Sequence, residues 1–513
     1  MEHAVYDLIL RMTSGNKAVA AVCRETVSAL GEGDVCRKLS AEEIDSLQAC
    51  GTVVTFVDAS AKPAEVRTPF VVESGRIYTR RNWQYERNVK ERLEGFGTKA
   101  RTVVLPDDDF YGSLRSDQRA AVENMCGRQF SILTGGPGTG KTHTIARAVK
   151  FVRDGFPELR LGLAAPTGKA AARMKESMQR AMDEIPEATT IHSLLGPNYD
   201  LVTFRHNRGN PLPLDWLIVD EASMIDLPLM SKLLDALPPT CRLTLVGDAD
   251  QLASVERGRV FGDLCAVGGD AVSRLTQSTR FPPEGEIARL AGAVNGNRPD
   301  EALEILRNSK LVKYHDITGL PEFKLHRWPD FVRLVRTKFS ALAASRTAED
   351  ALTHLNDFRI LCATRHGSFG VEFLNQFVRD LMGASCPIPL MITQNDRTLG
   401  VSNGDVGIVM PEDPKSLHLP IESGGTRTIR LELLAGTEDA FASTIHKSQG
   451  SEFTDVAIVM PPNGDNPLLT REILYTGITR TREAVVVYSG DTSIRRCCAT
   501  VVERLSGLAS LKN

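Results

Sequence analysis

Short apolar runs alternate with amphipathic stretches over most of this 513-residue chain. This alternation is typical of parallel strands joined by helices, because each helix crosses over the sheet before the next strand begins. The apolar runs predict strands at 130–133, 161–165, 216–219, 243–246, 358–363, 456–460 and 484–488. The runs fall into two groups that divide near residue 275. The pattern therefore predicts an α/β protein with two parallel sheets, each covered by helices on both faces.

Two regions do not follow this alternation of strands and helices. Residues 1–105 contain an alternating run at 52–57 and a helical pattern at 85–93, which predict a small separate α/β domain. Three consecutive aspartates at 107–109 are expected to mark a linker. Short strands and Gly/Pro turns at 393–438 predict a small β insertion. The domains expected are 1–105, 106–275 and 276–513.

Bulk composition limits the function classes. The net charge is −3, so nucleic-acid binding would have to come from local basic surfaces and not from a general charge excess. The ten cysteines are scattered without a C-x-x-C pair, which disfavours a zinc or iron–sulfur site and favours a reducing compartment. We find no signal peptide and no membrane-length apolar stretch, and expect a cytoplasmic protein with no membrane contact.

A glycine-rich loop lies between the run at 130–133 and a helical pattern, as a phosphate-binding loop requires. Its residues are Gly135, Gly136, Pro137, Gly138, Thr139, Gly140, Lys141 and Thr142. The glycines let backbone N–H groups point at phosphate oxygens. Lys141 can then reach the β- and γ-phosphates, and the Thr142 hydroxyl can bind Mg²⁺. The loop predicts that the chain binds a nucleoside triphosphate.

Further polar residues follow the ends of later strands. Asp220 and Glu221 end the run at 216–219, so Asp220 can hold Mg²⁺ and Glu221 can deprotonate an attacking water. A carboxylate that activates water favours hydrolysis over a small-molecule kinase reaction. Gln251 follows the next strand and is a candidate sensor of the γ-phosphate. Arg280 and Arg480 are candidate arginine fingers.

These blocks, in this order, resemble superfamily 1 DNA helicases, and specifically the RecD family, the alpha chains of exodeoxyribonuclease V (RecBCD). The resemblance covers about residues 115–490. It implies two RecA-like domains with ATP in the cleft between them and single-stranded DNA across their top. It assigns Gln118 to adenine and Glu452 to the ribose. It also implies DNA contacts at Pro166, Thr167, Lys169, His192, Ser193, Thr444, His446 and Lys447.

The resemblance extends to the smaller regions. Residues 197–214 resemble the 1B insertion, with an ordinary surface hairpin as a nearly equal alternative, and 393–438 resemble the SH3-like 2B module. Residues 1–105, including the turn at 31–36, resemble the region by which RecD docks on its partner subunits.

The expected function is an ATP-driven translocase and helicase acting on single-stranded and tailed duplex DNA, in double-strand break repair and recombination. The resemblance implies 5′→3′ movement and RecB-like and RecC-like partners. No nuclease constellation appears in the sequence, so nuclease activity is expected in a partner subunit. Three alternatives stay open: a free-standing superfamily 1 helicase, an ATP-binding regulatory subunit without unwinding activity, and an RNA motor.

Overall fold

The computed structural model describes residues 2–48, 50–58, 60–96, 112, 114–179, 186–198, 203–254, 257–282, 284–320, 328–396, 398–421 and 425–510. The linker expected at 107–109 and the boundary expected at 105 lie outside these ranges. The described chain divides into two compact units. The first comprises 1–249, 253–276 and 503–513, and the second comprises 250–252 and 277–502.

The first unit begins with a small sheet of four strands in the order β1-β4-β3-β2. These strands are β1 Arg37–Lys38, β2 Val54–Val57, β3 Phe70–Glu73 and β4 Arg76–Thr79. The accompanying helices are Glu2–Met12, Lys17–Gly31, Ala41–Gln48 and Arg80–Glu94. The strand expected at 52–57 and the helix expected at 85–93 are confirmed. So is the α/β character of this region.

A parallel sheet of six strands forms the rest of the first unit, in the order β10-β5-β9-β8-β6-β7. The strands are β5 Phe130–Gly135, β6 Leu161–Ala165, β7 Ala188–Thr190, β8 Trp216–Val219, β9 Arg242–Gly247 and β10 Val272–Leu275. Helices lie at Ser116–Gly127, Lys141–Gly155, Gly168–Gln179, Ile191–Leu195, Leu227–Ala236 and Val260–Val267. The β8 residues are all buried, as expected for a central parallel strand.

The second unit contains a second parallel sheet, in the order β11-β20-β19-β12-β18. Its strands are β11 Val312–Asp316, β12 Phe358–Cys362, β18 Ala442–Thr444, β19 Phe453–Val459 and β20 Thr481–Ser489. The helices are Glu286–Asn295, Pro299–Asn308, Pro329–Lys338, Ser340–Ala344, Ala348–His354, Val371–Met382, Arg471–Ile478 and Asp491–Ala499. The two parallel sheets predicted from the apolar runs are therefore confirmed.

The second unit also carries an antiparallel sheet in the order β16-β15-β14-β13-β17. Its strands are β13 Ile388–Ile392, β14 Val406–Met410, β15 Asp413–Pro420, β16 Thr426–Arg430 and β17 Thr437–Asp439. The short strands expected at 393–438 are confirmed, although the sheet begins five residues earlier because β13 belongs to it. The likeness of this sheet to an SH3 module stays a prediction.

The last part of the chain returns to the first unit. The backbone N–H groups of Val35 and Cys36 donate to Leu505 O, and Leu505 N donates to Asp34 Oδ1 at 2.7 Å. Leu508 is fully buried in the core of that unit. The C-terminal segment therefore packs against the 31–36 turn that the sequence singled out.

Candidate functional site

The glycine loop connects β5 to the helix Lys141–Gly155, as the sequence predicts. Gly138 and Gly140 have φ values of +73° and +88°, a region that glycine enters without a steric penalty. Thr139 Oγ1 donates to Gly136 O at 2.8 Å and closes the loop. The loop therefore folds back on itself directly before the positive end of a helix, which suits phosphate binding.

The Lys141 side chain lies along this loop. Its Nζ donates to the carbonyl oxygens of Gly135 at 2.7 Å and Gly136 at 3.1 Å. Because both acceptors are loop carbonyls, the ammonium group is held where phosphate oxygens would approach the N–H groups of the loop. This position fits the role predicted for Lys141.

Gln118 contacts the same loop from the helix Ser116–Gly127. Its Nε2 donates to Thr139 O at 3.3 Å, and its Oε1 accepts from Arg115 N at 3.2 Å. Arg115 Nη2 donates to the same Thr139 oxygen at 2.8 Å. Sequence reasoning missed Arg115, although its place three residues before Gln118, at the start of a helix, was available as a signal.

Asp220 and Glu221 lie beyond the carboxyl end of β8. Asp220 N donates to Ala164 O at 2.9 Å, and Asp220 Oδ1 accepts from Glu221 N at 2.8 Å. Burial and the neighbouring Glu221 charge raise the pKa of Asp220, while Lys141 acts in the opposite direction. Lys141 is therefore close enough to Asp220 to act on its carboxylate, so the glycine loop and the acidic pair belong to one site.

Glu221 adopts an unusual backbone conformation. Its φ of +52° and ψ of +38° lie in the left-handed region, which a residue with a Cβ enters at a cost of about 1 kcal/mol or more. Such strain persists where the surrounding structure imposes it, and it is concentrated at functional sites. The conformation turns the chain directly after Asp220, into the short 3-10 helix Ala222–Met224.

The DNA-contact candidates of the first unit occupy a different part of the same sheet edge. Pro166 and Thr167 follow β6, and His192 and Ser193 follow β7, the outermost strand. Thr167 Oγ1 accepts from Ala170 N at 3.2 Å and begins the helix that carries the exposed Lys169.

His192 belongs to the same group. Thr190 caps its short helix by accepting from Ser193 N at 3.1 Å. The His192 ring lies 5.7 Å from Phe204, and burial lowers the pKa of His192. The lowered pKa favours the neutral form of the imidazole.

The 197–214 region is described only in part, because 199–202 lie outside the described residues. Isolated bridges pair Pro197 with Phe204 and Asn207 with Asn210. Arg208 donates to Asp235 Oδ1 at 3.0 Å and to Asn88 Oδ1 at 2.7 Å. These contacts anchor a turn against two helices of the first unit, and its role as a 1B insertion stays a prediction.

Gln251 belongs to the second unit, although β9 of the first unit directly precedes its segment. The neighbouring Leu252 N donates to Thr476 Oγ1 at 3.1 Å, and Leu252 O accepts from Gln449 Nε2 at 2.9 Å. Gln251 itself is buried. The segment that carries the residue expected to sense the γ-phosphate is thus tied through Leu252 to the helix Arg471–Ile478.

Arg280 and Glu452 form an ion pair, with Arg280 Nη2 2.8 Å from Glu452 Oε1. The second carboxylate oxygen of Glu452 lies 3.5 Å from Arg482 Nε. Arg280 Nη1 is buried without a hydrogen-bond partner among the described residues. The structure therefore brings together the arginine expected at the γ-phosphate and the glutamate expected at the ribose. Arg482 was not singled out from the sequence.

Arg480 lies at the amino end of β20 and is only 3% exposed. Its Nε donates to Thr476 O and its Nη1 to Ser451 O, each at 3.2 Å. Backbone carbonyls therefore hold this guanidinium within the second unit, beside the segment that contains Glu452.

Thr444, His446 and Lys447 follow β18 at the carboxyl edge of the second parallel sheet. Thr444 Oγ1 accepts from Lys447 N at 3.2 Å and starts the short 3-10 helix His446–Ser448. Lys447 Nζ forms an ion pair with Glu438 on β17. In this unit the DNA candidates thus lie at the opposite strand ends from Glu452 and Arg480.

The donor atoms expected for Mg²⁺ are the Thr142 hydroxyl and the Asp220 carboxylate, and hard oxygen donors of this kind suit that ion. No group of three or more His, Cys, Asp or Glu side chains in the described ranges could enclose a metal. Within the same ranges, no helix is long and apolar enough to cross a membrane.

Comparison with known proteins shows two family matches. Residues 118–257 match the AAA domain family, and residues 439–488 match the UvrD-like helicase C-terminal domain family. The RecBCD enzyme subunit RecD of Mycolicibacterium smegmatis is 36% identical over 84% of this chain and 81% of that protein. The corresponding subunit of Haemophilus influenzae is 31% identical over 88% of this chain and 82% of its own length.

A longer helicase also matches. The ATP-dependent RecD2 DNA helicase of Deinococcus radiodurans is 31% identical over 72% of this chain, but over only 48% of its own length. The similarity to the RecBCD subunits therefore extends over a larger share of this chain and over a much larger share of the relative.

Proposed function

The chain belongs to the RecD family of DNA helicase subunits, and from this premise we propose that it moves 5′→3′ along single-stranded DNA within an assembly of RecB-like and RecC-like subunits. It is an ATP-dependent DNA helicase of the kind that acts in DNA repair and recombination. The observation that carries the proposal is the match to RecD subunits over more than four fifths of this chain. The glycine loop, Lys141 and the acidic pair supply the hydrolytic chemistry.

The roles of the individual residues in hydrolysis are part of the proposal. Lys141 and the loop N–H groups bind the phosphates, which lowers the energy of the charge that develops on them. Glu221 accepts a proton from the attacking water, because it follows Asp220 on a strained turn at the strand end. Mg²⁺ would be held by Thr142 and Asp220 and would supply charge neutralisation at the phosphates. Gln118 would contact the adenine.

Residues of the second unit complete the proposed set. Arg280 and Arg480 are proposed to neutralise charge on the transferring phosphoryl group, Gln251 to report the γ-phosphate, and Glu452 to meet the ribose. The buried Nη1 of Arg280 supports the role of this residue in charge neutralisation, since a guanidinium N–H without an acceptor can donate to a phosphate oxygen.

A free-standing helicase is the second candidate, and the match to RecD2 is the observation that raises it. The chain covers 81% of the Mycolicibacterium smegmatis subunit and 48% of the Deinococcus radiodurans helicase. That difference in coverage favours a subunit of a RecBCD-type assembly over a free-standing helicase. Co-expression with RecB-like and RecC-like chains from the same genome would separate the two, because a subunit should co-purify with them in a fixed ratio.

The test of function is ATP hydrolysis by the purified chain with and without single-stranded DNA. Unwinding would be measured on duplexes that carry a 5′ or a 3′ tail. We expect stimulation by DNA and unwinding of the 5′-tailed duplex alone. Lys141→Gln should lower turnover about 100-fold or more, because the loop loses its phosphate-binding charge. Normal turnover in that variant would refute the assignment of the site, and unwinding from a 3′ tail would refute the polarity.

A further inference from the structure

A small cleft of about 200 Å³ lies in the second unit beside two of the expected DNA contacts. Its lining includes Thr444 and Lys447 at the end of β18, Arg365 after β12, and Glu438 on β17. Arg365 and Glu438 were not singled out from the sequence. The cleft therefore joins residues that are far apart in the chain around the lysine expected to bind DNA.

Glu438 bridges the two cations of this cleft. Its Oε2 lies 3.1 Å from Arg365 Nη2, and its Oε1 forms an ion pair with Lys447 Nζ. Each carboxylate oxygen thus accepts from a different positive group. The Glu438 side chain is 20% exposed, against 51% for Arg365 and 32% for Lys447. The carboxylate lies deeper than the cations, which face outward.

The surrounding structure fixes both sides of this bridge. Arg365 Nε also pairs with Glu372 Oε1 at 3.1 Å, which orients the guanidinium. Asn375 Nδ2 donates to Asp439 O at 2.6 Å, and Asn375 Oδ1 accepts from Ala442 N at 2.7 Å. Asn375 therefore ties the residue after Glu438 to the first residue of β18, which ends only three residues before Lys447. The Asn375 side chain thus helps to fix the distance between Glu438 and Lys447, and the Glu372 carboxylate orients Arg365.

This arrangement has the chemistry of a phosphate site with a carboxylate in the place of the anion. An arginine and a lysine that each donate to one of two anionic oxygens would bind two oxygens of a phosphodiester in the same way. We propose that Arg365 and Lys447 bind one backbone phosphate of single-stranded DNA, and that Glu438 holds this subsite in the free protein until DNA displaces it. The proposal rests on the DNA-binding function proposed above. It adds that Glu438 competes with DNA for Arg365 and Lys447.

Displacement has a measurable consequence for affinity. DNA must break two partly exposed ion pairs before it gains the two cations, and such pairs are individually weak. Removing the charge of Glu438 should therefore strengthen DNA binding roughly 3- to 20-fold at low salt. Salt screens the competing ion pairs, so the gain should shrink as the salt concentration rises.

The experiment compares Glu438→Gln with the wild-type chain and with Glu432→Gln. Glu432 is an exposed residue in the connection that precedes β17, and the variant makes the same change of charge without altering a described ion pair. Binding of a fluorescent oligothymidylate would be measured by anisotropy at about 50 mM and about 300 mM salt. We expect tighter binding for Glu438→Gln alone, with the larger gain at the lower salt concentration.

Arg365→Ala tests the same subsite from the cation side. It should weaken binding more in the Glu438→Gln background than in the wild-type chain, because there the arginine no longer pairs with Glu438. In both backgrounds it should reduce the dependence of log affinity on log salt by about 0.7, the value for one phosphate contact on a single strand. Melting curves of all variants would confirm that they are folded.

The outcomes separate the inference from the proposed function. Wild-type binding without a gain in Glu438→Gln, or an equal gain in Glu432→Gln, would overturn the competitor role and leave DNA binding intact. No binding by any variant would overturn both. Inorganic phosphate at constant ionic strength distinguishes a free anion from DNA. If phosphate stabilised Glu438→Gln against melting while DNA affinity did not rise, the subsite would not belong to DNA.

Discussion

Gly140 offers the sharpest test of how the glycine loop is built. Its φ is +88°, and a Cβ added there would lie 2.5 Å from Gln118 Nε2. An alanine therefore meets two penalties. The left-handed backbone costs about 1–2 kcal/mol for a residue with a Cβ. The Gln118 amide must also move from Thr139 O, which costs about 1 kcal/mol for the lost hydrogen bond.

These penalties predict that Gly140→Ala lowers the free energy of unfolding of the first unit by about 2–3 kcal/mol. For a unit of this size the melting temperature should fall by about 2–4 °C per kcal/mol. The clash is with the end of a flexible side chain, so the variant should fold. ATP affinity should fall further than stability alone explains, because Gln118 and the loop N–H groups both shift.

Gly155→Ala is the matched control. Gly155 ends the helix that Lys141 begins, and a Cβ there meets no heavy atom within 4 Å. This variant should keep its ATP affinity and should be at least as stable as the wild-type chain, since an alanine restricts the unfolded chain more than a glycine. Differential scanning calorimetry and nucleotide titration would be run on both variants. A Gly140→Ala chain with wild-type melting and wild-type ATP affinity would refute the reasoning.

Two further predictions concern the acidic pair and the C-terminal segment. Glu221→Gln should lower kcat for ATP by about 10²–10⁴-fold while ATP still binds, because the amide cannot accept the proton of water; unchanged single-turnover hydrolysis would contradict the base role. Leu508→Ala should cost about 2–5 kcal/mol, because the side chain is fully buried in the core that the 31–36 turn adjoins. Chemical denaturation monitored by tryptophan fluorescence, to which the buried Trp83 and Trp216 of the first unit contribute, measures this cost, with the exposed Leu433→Ala as the control. A loss below about 0.5 kcal/mol would show that the C-terminal segment does not support the first unit.

The parts of the site that the sequence predicted are those carried by contiguous residues at strand ends. The glycine loop must follow a strand and begin a helix, and Asp220 must follow β8. In a parallel sheet the carboxyl ends of all strands lie at one edge, so topology places the loop after β5 and the pair after β8 at the same edge, with β9 between the two strands. The local sequence pattern and the parallel order of the strands were sufficient to predict this part of the site.

Contacts between distant segments left no such local signal. The pair of Arg280 with Glu452 spans 172 residues, the difference between the two numbers, and involves residue types that are common on any surface. The return of residues 505–508 to the 31–36 turn depends on backbone hydrogen bonds, which any sequence can make. Glu438 lies close to Lys447 in sequence, but only the antiparallel pairing of β17 with β13 and the Asn375 bonds set their distance.

One hydrogen bond connects the hydrolytic residues of the first unit to its DNA candidates. Asp220 N donates to Ala164 O at 2.9 Å, and Ala164 lies on β6 only two residues before Pro166. Since β6 and β8 are directly paired, a shift of the chain at Asp220 must either break this bond or move the end of β6. Thr167, which caps the next helix, lies one residue further on. The proposed hydrolytic residues and the DNA-contact candidates of the first unit are therefore neighbours on one sheet edge, which would give the proposed chemistry a short physical route to the proposed DNA surface.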